Sequence, residues 1–150
     1  SRGTRVIEFN ARFGDPETQP LLALLESPLS PLLLGAATGT LADVEPPRWK
    51  PGAAVAVVMA SGGYPETSSS GDVITGTDAA EAVADVHVIH AGTALSGTGD
   101  LVTAGGRVLA VIATGPDVAA ARASAYAGVA EIAFDGAQSR SDIAAAASGL

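Results

Sequence analysis

The sequence predicts a mixed α+β fold, and three features of its hydrophobic pattern carry this prediction. Short valine-rich runs, typical of strands, recur between residues 53 and 113. Two leucine-rich segments precede them, each beginning just after a proline, and an alanine-rich segment with helical spacing follows Pro116. We therefore expect two helices, a β-rich middle and a long C-terminal helix in this chain of 150 residues.

The first forty residues are expected to hold one strand and two helices. The side chains of residues 5–9 alternate between two faces, with Ile7 and Phe9 on one and Val6 and Glu8 on the other, and this pattern predicts the strand. Asp15 is predicted to cap the first helix, with Pro16 as its first residue, because these residue types favour a helix start. The second helix is predicted over residues 30–37 and is expected to end at Gly39.

The remaining elements follow a change of composition at residues 43–52, where prolines and charges replace the apolar pattern. This segment predicts a linker that Trp49 pins to the rest of the chain. A helix is predicted to begin at Pro116 and to run through Ile132, and a short final helix to begin at residue 141. Strands are predicted over residues 53–60, 73–74, 86–90, 101–103 and 107–113, the last two joined as a hairpin through Ala104, Gly105 and Gly106.

The composition excludes several classes of protein. A net charge of −8 argues against binding to nucleic acid or to an anionic membrane. The chain has no cysteine, which excludes disulfides, thiolate metal sites and cysteine nucleophiles. No apolar run reaches the about 18 residues that a membrane span needs. We expect a cytoplasmic globular protein with neither nucleic acid nor a membrane as partner.

Most catalytic motifs are missing from the sequence, including the P-loop, the nucleophile elbow and the zinc-binding helix motif. The two histidines, His87 and His90, lie three residues apart on a predicted strand and would point to opposite faces. They cannot jointly hold a metal ion from that strand. Either one is readily explained as a structural or surface histidine.

Residues 8–19 form the one dense polar segment of the sequence. Glu8 and Asn10 would share a strand face, where a carboxylate and an amide oxygen suit a hard cation such as Mg²⁺ beside substrate phosphates. Arg12 would lie on the same face and offer a guanidinium fork to a carboxylate or phosphate. The alternative is a surface strand end followed by a capped helix, and spacing alone leaves both open.

Residues 8–17, EFNARFGDPE, resemble the signature of the phosphoribosylamine–glycine ligase family, the glycinamide ribonucleotide synthetases of the ATP-grasp superfamily. The resemblance covers nearly the whole chain and implies a C-terminal fragment of a longer enzyme, cut within the ATP-grasp sheet. Later blocks resemble the same family in the same order: GYP at 63–65, GDVITG at 71–76, HAGT at 90–93, GGRVL at 105–109 and RSDI at 140–143.

The resemblance also implies the domain organisation. Residues 1–42 would form the C-terminal edge of an ATP-grasp domain, and residues 43–52 a linker. Residues 53–150 would form the ligase's C-terminal domain, expected to be a small β-rich, barrel-sandwich-like domain with a long C-terminal helix.

The implied reaction, a step of purine biosynthesis, joins glycine to 5-phosphoribosylamine. The products are glycinamide ribonucleotide, ADP and phosphate, and a glycyl phosphate forms on the way. ATP and Mg²⁺ or Mn²⁺ are the implied cofactors. The fragment is expected to need the missing N-terminal part of its own chain, to be inactive alone and to be a monomer at full length.

By the same resemblance, the segment that begins at Glu8 holds the metal and the reacting carboxylate. Glu8 and Asn10 match the family's pair of metal ligands. Arg12 matches a catalytic arginine at the reacting carboxylate or acyl phosphate, where a guanidinium would hold developing charge. Asp15 would bind the ammonium group of glycine, a role compatible with its predicted helix cap.

The later blocks imply a site for the phosphorylated substrate. Gly105 and Gly106 would expose backbone amides beside Arg107, which suits the 5-phosphate of the ribosylamine. His90 would line the same cleft. The alternative is a hairpin turn whose glycines supply positive φ, with Arg107 as a surface charge.

Two other functions compete with this interpretation. Another ATP-grasp ligase or carboxylase would share the metal pair, but the continuation GDPETQ and the block GGRVL argue against it. A non-catalytic β-rich binding module is the second alternative, and it predicts no metal-linked behaviour at Glu8.

Overall fold

The computed structural model describes residues 3, 5–9 and 11–149, and the chain forms four α-helices and five strands over that part. None of these helices is both long and apolar enough to cross a membrane. In chain order the elements are α1 (Thr18–Leu24), α2 (Leu29–Thr38), β1 (Ala53–Ala60), α3 (Thr77–Glu81), β2 (Val86–His90), β3 (Thr93–Leu95), β4 (Leu101–Thr103), β5 (Arg107–Gly115) and α4 (Val118–Glu131).

An antiparallel sheet in the order β1-β5-β2 forms the centre of the molecule. Val111 of the middle strand lies opposite Val57 of β1 and Val88 of β2. Residues 108–113 of β5 are all buried because elements cover both faces of this strand. That is why the middle strand has a continuous apolar run rather than an alternating one.

Helices pack on both faces of this sheet. On one face, α4 turns Ala121, Ala125 and Gly128 toward the strands. The small residues allow close contact, since a Cβ on Gly128 would lie 2.9 Å from a methyl carbon of Val86. On the opposite face, α1 lies against β1 and β5. The resulting order of layers is helix, sheet, helix, with the main hydrophobic core under α4.

Several predicted elements are confirmed. β1 and β2 have the predicted bounds. The predicted long helix is present as α4, but it begins two residues after Pro116, at Val118, where Oδ1 of Asp117 caps it by accepting a hydrogen bond from the N–H of Ala120 at 2.8 Å. The second helix ends at Gly39, which has a φ of 74°. Trp49 pairs with Leu25 in an isolated bridge, so the proline-rich segment is pinned as predicted.

The predicted strand over residues 5–9 is wrong: these residues form no strand. A strand exists only through hydrogen bonds to a neighbour, and none of the described strands pairs with this segment. The apolar side chains of Val6, Ile7 and Phe9 are exposed, by 71%, 96% and 86%. The alternating pattern of residues 5–9 is therefore not sufficient to form a strand, because no described strand is available to pair with it.

The predicted cap of the first helix is also wrong. The helix begins at Thr18, and Glu17 rather than Asp15 occupies its N-cap position. A backbone hydrogen bond of 3.0 Å from Thr18 to Gly14 already closes the preceding turn. The carboxylate of Asp15 is directed to other partners, which are described below.

The predicted hairpin between β4 and β5 does not form. β4 pairs with β3 instead, and Thr103 at its end is buried and bonded to Asp72. The barrel-sandwich-like arrangement is likewise not observed: the described strands form two open sheets, one of three strands and one of two. Because β4 and β5 do not pair, the two sheets are not joined into a barrel.

Two short elements differ from the predictions as well. Val73 makes only an isolated bridge to Val102, so residues 73–74 are not a strand. The predicted helix at residue 141 is replaced by a turn and a short 3₁₀ segment, Ala146–Ser148. The hydroxyl of Tyr126 accepts a hydrogen bond from the N–H of Ile143, which holds residues 140–143 in a non-helical path.

Candidate functional site

An ion pair joins two of the predicted site residues, Asp15 and Arg107, across a sequence separation of 92 residues. The Nε of Arg107 lies 3.3 Å from Oδ2 of Asp15, and Nη1 donates a hydrogen bond of 3.0 Å to the backbone oxygen of Asp15. Both side chains are about two-fifths exposed. The pair brings the segment before α1 to the first residue of β5.

A cavity of about 420 Å³ lies beside this ion pair and includes Arg107 in its wall. Its floor is formed by side chains of β1 on the face opposite the main core, namely Ala56, Val58 and Ala60. The volume falls in the range of small-molecule sites, which combine apolar walls with a few polar groups. A sugar phosphate is small enough for such a space.

Polar side chains also line this cavity. Gln138 is fixed there because its Nε2 donates to the backbone oxygens of Ser61 and Tyr64, at 2.7 and 3.2 Å. A second guanidinium, that of Arg140, lines the cavity too. Two arginines at one cavity favour an anionic ligand.

Arg140 already has a carboxylate partner. Its Nε and Nη2 donate to the two carboxylate oxygens of Asp142, at 2.8 and 2.6 Å. These hydrogen bonds lower the pKa of Asp142 below its ordinary value and raise that of Arg140. The backbone of this segment is held by α4, where Arg122 donates to the carbonyl oxygens of Ile143 and Ser141.

Gly105 and Gly106 lie directly before Arg107, but their role is not the one that a hairpin turn would require. Neither has a positive φ. Gly105 packs against the backbone of Gly92, and a Cβ on Gly106 would lie 2.6 Å from the ring of Tyr64. The carbonyl oxygen of Gly106 accepts the N–H of Ser61 at 2.9 Å. Close packing, not turn conformation, explains the two glycines.

Neither histidine lines the cavity that contains Arg107. His90 is exposed, its Nδ1 is 3.1 Å from Oγ1 of Thr93, and it is not among the residues that line the 420 Å³ cavity. His87 lines a second cavity of about 310 Å³, together with apolar side chains such as Leu22 and Ile89.

The predicted metal pair is described only in part. Glu8 and Arg12 are exposed, whereas Asn10 lies outside the described residues. In the part of the chain that the structure describes, no three aspartate, glutamate or histidine side chains form a metal-binding group. An exposed carboxylate such as that of Glu8 still fits Mg²⁺, which commonly takes one or two protein oxygens, with water and phosphate completing its shell.

Sequence reasoning missed four residues around Arg107: Tyr64, Gln138 and Arg140 at the cavity, and Gln19, which donates to Asp15. Tyr64 and Arg140 lie in the blocks GYP and RSDI, so the resemblance contained a signal for them. Gln138 had none, because its position depends on backbone contacts with a distant loop.

Comparison with known proteins gives a consistent result. The family described as "Phosphoribosylglycinamide synthetase, C domain" matches residues 54–146. Proteins named phosphoribosylamine–glycine ligase are 59% identical in Streptomyces coelicolor, over 99% of this chain, and 52% identical in Leifsonia xyli, over 98%. The chain spans only 36% of the length of either relative.

A solved structure agrees with these relatives. The crystal structure of a phosphoribosylamine–glycine ligase from Thermotoga maritima has a TM-score of 0.77 and 35% sequence identity to this chain. The match covers 92% of this chain and 33% of the other. The architecture of the described residues is therefore that of a C-terminal third of such a protein. The chain belongs to the phosphoribosylglycinamide synthetase family and contains that family's C domain.

Proposed function

We propose that this chain is the C-terminal part of an ATP-dependent ligase that joins glycine to 5-phosphoribosylamine. The observation that carries the proposal is the 59% identity, over 99% of the chain, to a protein named phosphoribosylamine–glycine ligase. The cavity beside Arg107 adds independent support, because its size and its two guanidiniums suit a phosphorylated sugar.

The proposed reaction has two steps. A carboxylate oxygen of glycine attacks the γ-phosphorus of ATP, which forms glycyl phosphate and releases ADP. The amine nitrogen of phosphoribosylamine then attacks the carbonyl carbon, loses a proton and expels inorganic phosphate. Glycinamide ribonucleotide results, and the released phosphate keeps one oxygen from the glycine carboxylate.

We propose residues 1–42 as the last part of an ATP-grasp domain, residues 43–52 as a linker and residues 53–150 as the ligase's C-terminal domain. The match to the C-domain family begins at residue 54, close to the proposed boundary. The side chains of Val6, Ile7 and Phe9 are apolar and exposed, and we expect another part of a longer protein to cover them.

Glu8 and Asn10 are the residues proposed to hold Mg²⁺ or Mn²⁺. The metal would neutralise charge on the phosphates of ATP. Arg12, two residues further along an exposed segment, is proposed to bind the carboxylate of glycine and the acyl phosphate formed from it. These roles suit a phosphoryl transfer, which depends mainly on positioning and on stabilisation of negative charge.

Arg107 is proposed to bind the 5-phosphate of phosphoribosylamine. Its guanidinium lines the cavity, and Gly106, directly before it, packs against the ring of Tyr64 in the cavity wall. Gly105 and Gly106 are proposed to present backbone amides to the same phosphate. Arg140 at the same cavity adds a second guanidinium, whose charge is balanced by Asp142. His90 is exposed near the end of β2, and its contact with the substrate stays a prediction.

Isotope transfer tests the proposed reaction. Glycine labelled with ¹⁸O in its carboxylate is given to the longest natural protein that carries this chain, with ATP and phosphoribosylamine. One labelled oxygen is expected in each phosphate released. Unlabelled phosphate would contradict the glycyl phosphate, and an unchanged rate in the Glu8→Gln variant would contradict the metal site.

A further inference from the structure

The guanidinium of Arg107 is held along one edge only. Its Nε and Nη1 both contact Asp15, the first through the carboxylate and the second through the backbone oxygen. Nη2 donates to none of the described residues. Because a guanidinium is planar, two contacts on one edge set the direction of the other. The remaining donors are available to a ligand in the cavity that Arg107 lines.

Asp15 is in turn held by Gln19, one turn along α1. Nε2 of Gln19 donates to Oδ1 of Asp15 at 2.8 Å, while Oδ2 contacts Arg107. Each carboxylate oxygen of Asp15 therefore contacts a different side chain, Oδ1 that of Gln19 and Oδ2 that of Arg107. The three side chains are thus linked from α1 to the start of β5 by one hydrogen bond, between Gln19 and Asp15, and one ion pair, between Asp15 and Arg107.

The amide of Gln19 has only one favourable orientation. Its Oε1 is buried and has no hydrogen-bond partner in the described part of the structure. Exchanging the two amide atoms would place Oε1 against the carboxylate of Asp15, so that two acceptors would face each other. A buried oxygen without a partner is unfavourable. The hydrogen bond from Nε2 to Asp15 is therefore the interaction that determines the orientation of the Gln19 side chain.

We propose that Asp15 and Gln19 are positioning residues for Arg107, which they hold so that its unengaged edge binds the phosphate of the amine substrate. This rests on the proposed function. It also ties the segment of Glu8 and Arg12 to the phosphate site, because Asp15 follows that segment directly. The 5-phosphate of phosphoribosylamine would thereby be held at a fixed distance from the acyl phosphate that its amine attacks.

A double-mutant cycle in the longest natural protein that carries this chain tests the proposal. Gln19→Leu is expected to raise the KM for phosphoribosylamine about fivefold, because the hydrogen bond that holds the carboxylate of Asp15 is lost. Gln19→Glu should raise this KM at least as much, since it places a second carboxylate against Asp15. The KM values for ATP and glycine should not change. Thr18→Val, on the same helix and without a contact to Asp15, is the matched control.

The decisive comparison is with Arg107→Ala. In that background Gln19→Leu should have no further effect on the KM for phosphoribosylamine, because Gln19 acts through Arg107. An equal effect in both backgrounds, or a lower melting temperature with an unchanged KM, overturns the positioning role alone. If Arg107→Ala itself leaves this KM unchanged, the phosphate site of the proposed function fails as well.

Discussion

The backbones of Gly92 and Gly105 lie in direct contact. A Cβ on Gly92 would lie 2.8 Å from the Cα of Gly105 and 2.7 Å from the carbonyl oxygen of Arg107. The N–H of Gly92 donates to that same oxygen at 2.9 Å, and the N–H of Ala104 donates to the oxygen of Gly92 at 2.8 Å. The contact thus sets the position at which β5 and Arg107 begin.

Gly92→Ala is expected to lower the free energy of unfolding by about 1–3 kcal/mol, because the added methyl group meets backbone atoms that cannot turn away. Urea denaturation followed by circular dichroism measures the change. Gly97→Ala is the control, since a Cβ at that position meets no atom within 4 Å. Equal stability of the two variants would contradict the close packing.

Tyr126→Phe is expected to destabilise the segment that carries Arg140. The hydroxyl of Tyr126 donates to the backbone oxygen of Arg140 and accepts from the N–H of Ile143, and both hydrogen bonds would be lost. The expected cost is about 1–3 kcal/mol, since a partly buried N–H is left without a partner. Hydrogen exchange at Ile143 should become faster, as measured by mass spectrometry.

Tyr64→Phe is the matched control for this change, because the hydroxyl of Tyr64 has no hydrogen-bond partner among the described residues. It should leave both the stability and the exchange at Ile143 unchanged. If Tyr126→Phe exchanged no faster than Tyr64→Phe, the anchoring of the segment by α4 would be wrong.

The ion pair with Arg140 predicts that the carboxyl group of Asp142 has a pKa below its ordinary value. Hydrogen bonds from Arg140 are the main cause of the lowered pKa of Asp142. A pKa lowered in the folded state stabilises the fold above the ordinary pKa of the unfolded chain, and this contribution is lost as the pH falls through the folded value. NMR titration of the Asp142 carboxyl should give a midpoint below that of Asp142 in the Arg140→Gln variant.

Salt provides a second check on this pair. Both side chains are largely exposed, by 74% and 60%, so about 1 M salt should move the midpoint of Asp142 upward by screening. An identical midpoint in the Arg140→Gln variant would show that the pair does not exist in solution.

The elements that sequence predicted correctly are those whose signal is local. The alternating valines of β1 and β2 mark their buried face, and Pro116 marks the start of α4 to within two residues. The second helix was predicted to end at Gly39, and in the structure Gly39 caps its C-terminus with a positive φ. In each case residues within one element determine its bounds.

The failed predictions concern long-range partners. Asp15 has the residue type and the position of a helix cap, yet its carboxylate binds Arg107, whose place in the fold no local pattern shows. β4 was expected to pair with the strand after its glycines, but Thr103 is buried in contact with Asp72 instead. The cavity depends on such contacts, which is why its glutamine, Gln138, was not predicted.

The release of ADP by the longest natural protein that carries this chain tests the central claim most directly. With ATP and Mg²⁺ present, ADP should form together with glycinamide ribonucleotide in equal amounts, and only when glycine and phosphoribosylamine are both supplied. Omitting phosphoribosylamine should stop turnover, because the glycyl phosphate then has no acceptor. ADP release that does not depend on glycine, or that yields no glycinamide ribonucleotide, would contradict the account.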